Sequence, residues 1–296
     1  MKISRLHLLL GFAAAWPVLL WAGGNEFITY SATAAPGYIR PADPAGGLRA
    51  ETYVFSPGKF FGSGTRDRGL ESAKFENIVR VLAPNLAKQN YFPTKDVAGA
   101  NLVIIVHWGS TQVYEDPNKL ETVANLGAAT TAYQADYAAN GGLADSGALN
   151  QAISNGEQDG FLRAKSEAEN AMLLGYQGTL QKSKKDLLMS EEERSLRFDL
   201  ADERYFIVLM AYDNALMQKD HKPRLLWVTR LSVRSAGNNF TEALPALSAT
   251  GADIYGKQID GLVRVRRSMK AGTVKLGDLE VIGEVARPAR TDNPAK

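Results

Sequence analysis

The chain has 296 residues, no cysteine, and 34 Lys and Arg against 32 Asp and Glu. That length buries a sizeable core without covalent staples. The missing thiols exclude disulfides, thiolate nucleophiles, Cys-ligated zinc and iron–sulfur clusters, and with them the lipid-bearing cysteine of an envelope lipoprotein.

Lys2 and Arg5 precede an apolar run through Leu8, Leu9, Leu10, Phe12, Val18, Leu19, Leu20 and Trp21, which closes on Ala22, Gly23 and Gly24. A short cationic end, a short apolar stretch and a small-residue exit are the pattern of a secretory signal peptide over residues 1–24. A second cut is plausible after Ala34, with Ala32 two residues upstream. Retention as an anchor is the third outcome, because residues 6–24 nearly cross a bilayer of ~30 Å at about 1.5 Å per residue. Pro17 and the small-residue exit favour cleavage, so a periplasmic or secreted product is expected. Lys2 and Arg5 leave with the leader and no acid does, so the remainder is formally neutral. Neutrality gives no electrostatic reason to expect nucleic acid as a partner. No later run reaches 18 apolar residues, so no membrane span is expected after cleavage.

Residues 25–50 carry Pro36, Pro41, Pro44, Gly37, Gly46 and Gly47 and read as an extended, mobile leader into the domain. Residues 51–56 are a strand by their β-branched and aromatic content, closed by Pro57 and Gly58. From Gly69 to Gln89, Phe75, Ile78, Val79, Leu82 and Leu86 recur at three and four, the stripe of an amphipathic helix that Pro84 should kink. The branched run at 102–106 (LVIIV) reads as a strand buried in the middle of a sheet, parallel to the first.

Residues 116–204 change character, being rich in Ala, Gln, Asn and charge. They read as a helical insertion: one helix from Pro117 through Tyr137, one over 161–176 with Leu162, Ala168, Met172 and Leu173 available to pack, and a third capped by Ser190 before Glu191, Glu192 and Glu193. The run 205–212 (YFIVLMAY) is a strand. In 225–233, Leu225, Trp227, Thr229, Leu231 and Val233 alternate with Arg230 and Ser232, the period of a half-buried strand pairing antiparallel with it. Residues 241–259 offer Leu244, Leu247, Ile254 and Ile259 to a helix weakened by Pro245 and Gly251. Residues 261–286 read as a satellite with a hairpin turn at Gly277 and Asp278. Residues 287–296 read as a disordered tail. The expected fold is α/β (an α+β sandwich), a mixed β-sheet with helices packed on it.

Three places carry candidate chemistry. Gly62, Ser63, Gly64, Arg66 and Arg68 lie between the first strand and the first helix, where free amides attract anions, but the stretch lacks the Lys-Ser/Thr ending of a P-loop. His107 and Ser110 end the buried strand, where α/β sheets open onto ligands, although no G-x-S-x-G elbow surrounds the serine. Acid groups at Glu115 and Asp116, and at Asp199, Asp202 and Glu203, have the composition, but not a diagnostic spacing, of a glycosidase pair. Solvated loops, a hydrogen-bonded histidine and solvated acid faces are the bland explanations of the three. Arg264, Arg266, Arg267 and Lys270 add a basic cluster that suits lipid head groups or an acidic partner, and equally a solvated strand or linker. His107 and His221 are the two histidines left after the leader, too few for a histidine-rich metal site. No metal and no cofactor is expected.

The order of a strand, a helix, NLVIIV, a long interruption, a strand entering Tyr212 and Asp213, a strand with LLW, and a helix resembles the exported bacterial α/β domains of unknown function of the small envelope-lipoprotein type. The resemblance covers residues 51–110 and 204–260. It implies a compact sheet with helices on one side, an envelope location and no established enzymatic activity. The chain departs from the type in lacking the lipid-bearing cysteine and in carrying the insertion. The preferred expectation is an exported, non-catalytic envelope protein acting in binding or scaffolding, with another envelope protein or polymer as partner. The alternatives are a periplasmic hydrolase using His107 and Ser110, and a small-anion-binding protein using the 62–68 loop.

Overall fold

The runs of branched and aromatic residues do form strands, and long-range pairing adds others that composition hides. The structure, a computed structural model, describes residues 25–62, 64–115, 119–139, 144–183, 190–220 and 222–268. Its strands are β1 (Asn25–Ala34), β2 (Glu51–Phe61), β3 (Tyr91–Pro93), β4 (Leu102–Ser110), β5 (Arg204–Asp213), β6 (Leu225–Arg234) and β7 (Val263–Ser268). They make one sheet in the order β3-β2-β4-β5-β6-β1-β7. β2 runs parallel to β3 and β4, whereas β4/β5, β5/β6, β6/β1 and β1/β7 are antiparallel. The sheet is therefore mixed, as expected, with LVIIV in its interior and parallel to β2. The described helices are α1 (Arg68–Glu71), α2 (Phe75–Ala87), α3 (Lys119–Ala139), α4 (Gly147–Leu174), α5 (Gln177–Ser183), α6 (Glu191–Ala201), α7 (Asn214–Asp220) and α8 (Phe240–Gly251).

Because side chains alternate across a strand, each interior strand feeds two cores. On one face, Leu102, Ile104 and Val106 of β4, Tyr205, Ile207 and Leu209 of β5, and Trp227, Leu231 and Val233 of β6 pack with Ile78, Leu82 and Leu86 of α2 and with Phe240, Ala243 and Leu247 of α8. On the other, Phe206, Val208 and Val228 pack with Ala171 and Leu174 of α4, with Tyr176, and with Leu196 and Leu200 of α6. Helices thus cover both faces, not the one side that the resemblance implies. β6 is correspondingly buried on both faces: Leu226 and Val228 are buried along with the expected Trp227, Thr229, Leu231 and Val233. The half-buried pattern fails there because the insertion supplies the second layer.

The leader reading of 25–50 also fails. β1 pairs with β6 over 29–34 and with β7 over 25–30, and its Ile28 and Ala32 are core residues. The segment that follows is pinned by Arg40, whose Nε lies 3.3 Å from the Glu51 carboxylate, whose Nη2 donates to the carbonyls of Arg49 and Asn90, and whose guanidinium stacks 3.8 Å over the Tyr91 ring. The prolines and glycines mark turns in an anchored loop. A cut after Ala34 would remove the strand that joins β6 to β7, whereas a cut after Gly24 leaves it whole.

Pro57 and Gly58 do not close β2. The strand continues to Phe61 across an irregularity between Pro57 and Phe60. Gly58 makes this possible, since a Cβ there would meet His107 Nδ1 at 2.7 Å. The expected 69–89 helix is two: α1, then α2 running through Pro84. α4 starts at Gly147, well before residue 161, while Ser190 caps α6 as expected by accepting from the Glu193 amide. Val263–Ser268, expected in a satellite, is the edge strand β7, where Arg264, Arg266 and Arg267 discourage further pairing. Lys270, the hairpin at Gly277 and Asp278 and the 287–296 tail lie outside the described residues.

Candidate functional site

The 62–68 loop sits where expected, after β2 and before α1, and a carboxylate of the chain itself takes one of its amides, that of Gly64. The Gly64 amide donates to Glu203 Oε1 at 3.1 Å. Asp67 accepts from the Gly69 amide at 2.7 Å and the Phe240 amide at 3.0 Å, so one side chain caps both α1 and α8. Burial would raise the Asp67 carboxyl, but the Tyr205 hydroxyl and the amides of Phe240, Gly69 and Leu70 outweigh it and hold it below its ordinary value. Arg66 and Arg68 do line a hollow of about 490 Å³, yet they share it with Asp67, Glu115, Asp202, Glu203 and Arg234. Its mixed charge does not make a phosphate cradle. Ser63 lies outside the described residues.

His107 and Ser110, three residues apart on β4, both line one groove between the sheet and α4, and each is hydrogen-bonded to a partner of its own. Ser110 Oγ is buried and donates to Glu203 Oε1 at 2.8 Å. His107 Nδ1 accepts from the Lys59 amide at 2.9 Å, satisfying the backbone where β2 bulges away from β4. With Nδ1 an acceptor, the neutral ring carries its proton on Nε2.

Burial holds His107 below its ordinary value of 6.5. A depressed histidine binds fewer protons folded than unfolded, so its contribution is complete above that value and is lost as the pH falls through it. Thermal denaturation is therefore expected to show stability declining on acidification below about pH 6.5. His107→Asn, which keeps an acceptor for Lys59 but does not titrate, should flatten part of that decline. Equal acid sensitivity in both proteins would overturn this assignment.

Of the acid groups, Asp199, Asp202 and Glu203 are engaged within the fold, and Glu115 lines the hollow at the 62–68 loop. Asp199 accepts from Tyr176 at 3.0 Å and from Arg264, and it lies 3.4 Å from Arg204. Asp202 pairs with Arg234 at 3.0 Å, and Glu203 serves Gly64 and Ser110. Asp116 lies outside the described residues. Among the described residues no group of three or more His, Asp or Glu is placed to hold a metal ion.

The groove between the sheet and α4, at the end of β4 where the sequence suggested a ligand crevice, has a volume of about 450 Å³. Phe61, Val208, Met210, Met172 and Leu173 supply apolar walls, and His107, Ser110, Gln112, Glu169, Asn170 and Arg230 add polar groups. Its size is that of a small-molecule site. Its floor is a row across three strands: His107 pairs with Val208, and Val208 with Arg230. The α4 C-cap closes over the arginine. Gly175, at φ +80°, is the left-handed residue that ends the helix, and a Cβ there would meet Ser31 Oγ at 2.4 Å and Arg230 Cδ at 3.0 Å. The signals in the sequence were His107 and Ser110 at the end of β4 and a cation breaking the apolar run LLWVTRLSV.

No family model matches the chain, and no curated protein does. Among solved structures, it is similar to a PDZ domain protein from Parabacteroides distasonis at 11% identity and a TM-score of 0.37. That match covers 81% of this chain and 38% of the other. Among the described residues, no helix is long and apolar enough to cross a membrane.

Proposed function

We propose that this is an exported, non-catalytic binding protein of the bacterial envelope that engages a partner protein through the arm made by α3 and the first half of α4. One observation carries the reading: α3, 21 residues long, buries no side chain. Leu120 is 88% exposed, Val123 and Leu126 follow it at three-residue spacing, and Phe161 on α4 is 69% exposed. Packing of an apolar face is what usually stabilises such a helix, and contiguous exposed apolar residues mark interaction surfaces. A partner protein suits them better than a charged polymer, because burying each such side chain is worth about 1.5–3 kcal/mol. The engagement of Ser110 with Glu203 and of His107 with Lys59 supports a non-catalytic role. The pattern over residues 1–24 supports export.

Cross-linking in cells, with fractionation, tests the proposal. The full chain is expected outside the cytosol, cross-linked to a discrete protein. The triple variant Leu120→Asp, Val123→Asp, Leu126→Asp should be exported and folded but lose that species. Undiminished cross-linking by the triple variant would remove the arm's role, and an unprocessed cytosolic chain would remove the envelope assignment.

A further inference from the structure

The groove under α4 presents a cation that the fold does not neutralise. Arg230 lies in the row His107–Val208–Arg230, and with neighbouring strands about 4.8 Å apart its Cα is roughly 10 Å from that of His107. The stem is clamped beneath Gly175. The guanidinium is partly buried and makes no hydrogen bond or ion pair among the described residues. Burial pulls its pKa down from the ordinary arginine value, with no counter-charge pushing back. Ser31, which faces Arg230 across β1, carries a buried hydroxyl that likewise has no partner among the described residues.

The other charges around the groove leave it cationic at its floor. The Lys59 ammonium lies 4.6 Å over the Phe61 ring, and neutral His107 keeps its Nε2–H. The acid present, Glu169, is exposed at the rim on α4. A partly desolvated cation with no counter-charge favours an anion, and a guanidinium is shaped for the two oxygens of a carboxylate or phosphate. The walls beyond it, Val208, Met210, Leu173 and Phe61, ask for an apolar body.

We propose that this groove binds a single-chain amphipathic anion, its oxyanion head on the Arg230 guanidinium and its aliphatic tail along Val208, Met210, Leu173 and Phe61. The site is separate from the α3 arm, so either assignment can fail without the other.

Isothermal titration of the purified protein, below micelle-forming concentrations, tests it with decanoate and decyl phosphate as probes. Decanol serves as the uncharged control, and acetate and inorganic phosphate as heads without tails. At least one amphipathic anion is expected to bind saturably at one per chain, and the two arms decide which head is preferred. Decanol should bind about tenfold or more weaker, since a hydrogen bond to a charged group is worth that much in affinity. The tail-less ions should not bind measurably.

Arg230→Met should weaken anion binding by about tenfold or more while leaving the melting temperature unchanged or raised, because an apolar chain replaces a partly desolvated cation without a counter-charge. Leu173→Trp fills the groove with the guanidinium intact and should also abolish binding. The proposal is overturned if neither amphipathic anion binds, if decanol binds as well, or if either folded variant keeps wild-type affinity. Should Arg230→Met unfold, Leu173→Trp alone decides: loss of binding supports the groove and retention overturns it.

Discussion

Asp199→Ala is expected to destabilise the protein by about 3–5 kcal/mol, the cost of leaving a buried cation without its counter-charge. Arg204 is the reason. Its side chain is 4% exposed and that of Asp199 is 19% exposed, with 3.4 Å between Nη1 and Oδ1. The remaining guanidinium donors reach Ser232 Oγ and Thr29 Oγ1, each at 3.2 Å, so the arginine ties β5 to β6 and β1. The same carboxylate takes the Tyr176 hydroxyl and Arg264, which adds the α4–α5 junction and β7. Thermal denaturation should show a fall of roughly 6–20 °C for a domain of this size. Adding Arg204→Met to Asp199→Leu should recover much of the loss, because removing both charges removes the unpaired one. A fall under about 1 kcal/mol for Asp199→Ala, or no recovery in the double variant, would show that the pair does not hold the junction.

Trp227→Ala should cost about as much, roughly 3–5 kcal/mol, through a cavity at the centre of the larger core. The indole is fully buried, with Tyr91 at 5.6 Å and Tyr255 at 6.3 Å between ring centroids. Its neighbours come from β3 and from the turn after α8, in the same core, so the hole cannot collapse without moving both of these elements. Trp227→Phe should cost clearly less, because it keeps most of the ring and removes an indole N–H that finds no acceptor among the described residues. Chemical denaturation of the three proteins checks both points. Equal losses for Ala and Phe would place the cost in the indole's particular shape, and a loss near zero for Ala would contradict its packing.

The two strongest strands, LVIIV and YFIVLMAY, were legible because a short branched run has few alternatives to a buried strand. β1 was not. Its Ile28 and Ala32 alternate with polar residues, it follows an apolar leader, and its partners β6 and β7 lie about 200 residues away. The same remoteness misled the reading of β6, whose second face is covered by α4 and α6 of the insertion. Among the candidate site residues, His107 and Ser110 lie on one strand and line one groove, while Glu203 accepts from the Ser110 hydroxyl and the Lys59 amide donates to His107 Nδ1. In the loop at 62–68, Glu203 takes the Gly64 amide, and Asp67 takes the amides of Gly69 and Phe240 beyond it.

By itself the sequence determined the class of fold, the absence of thiol chemistry, the helical character of the insertion and the capped start of α6. These depend on composition and short-range periodicity, which act within a few residues. Only the tertiary structure decided that the insertion forms the second layer of the sheet, that Asp199 joins Tyr176, Arg204 and Arg264, and that Arg230 stands in a groove. A charge acquires its meaning from what lies within a few ångströms, and here those neighbours arrive from strands and helices far apart in the chain.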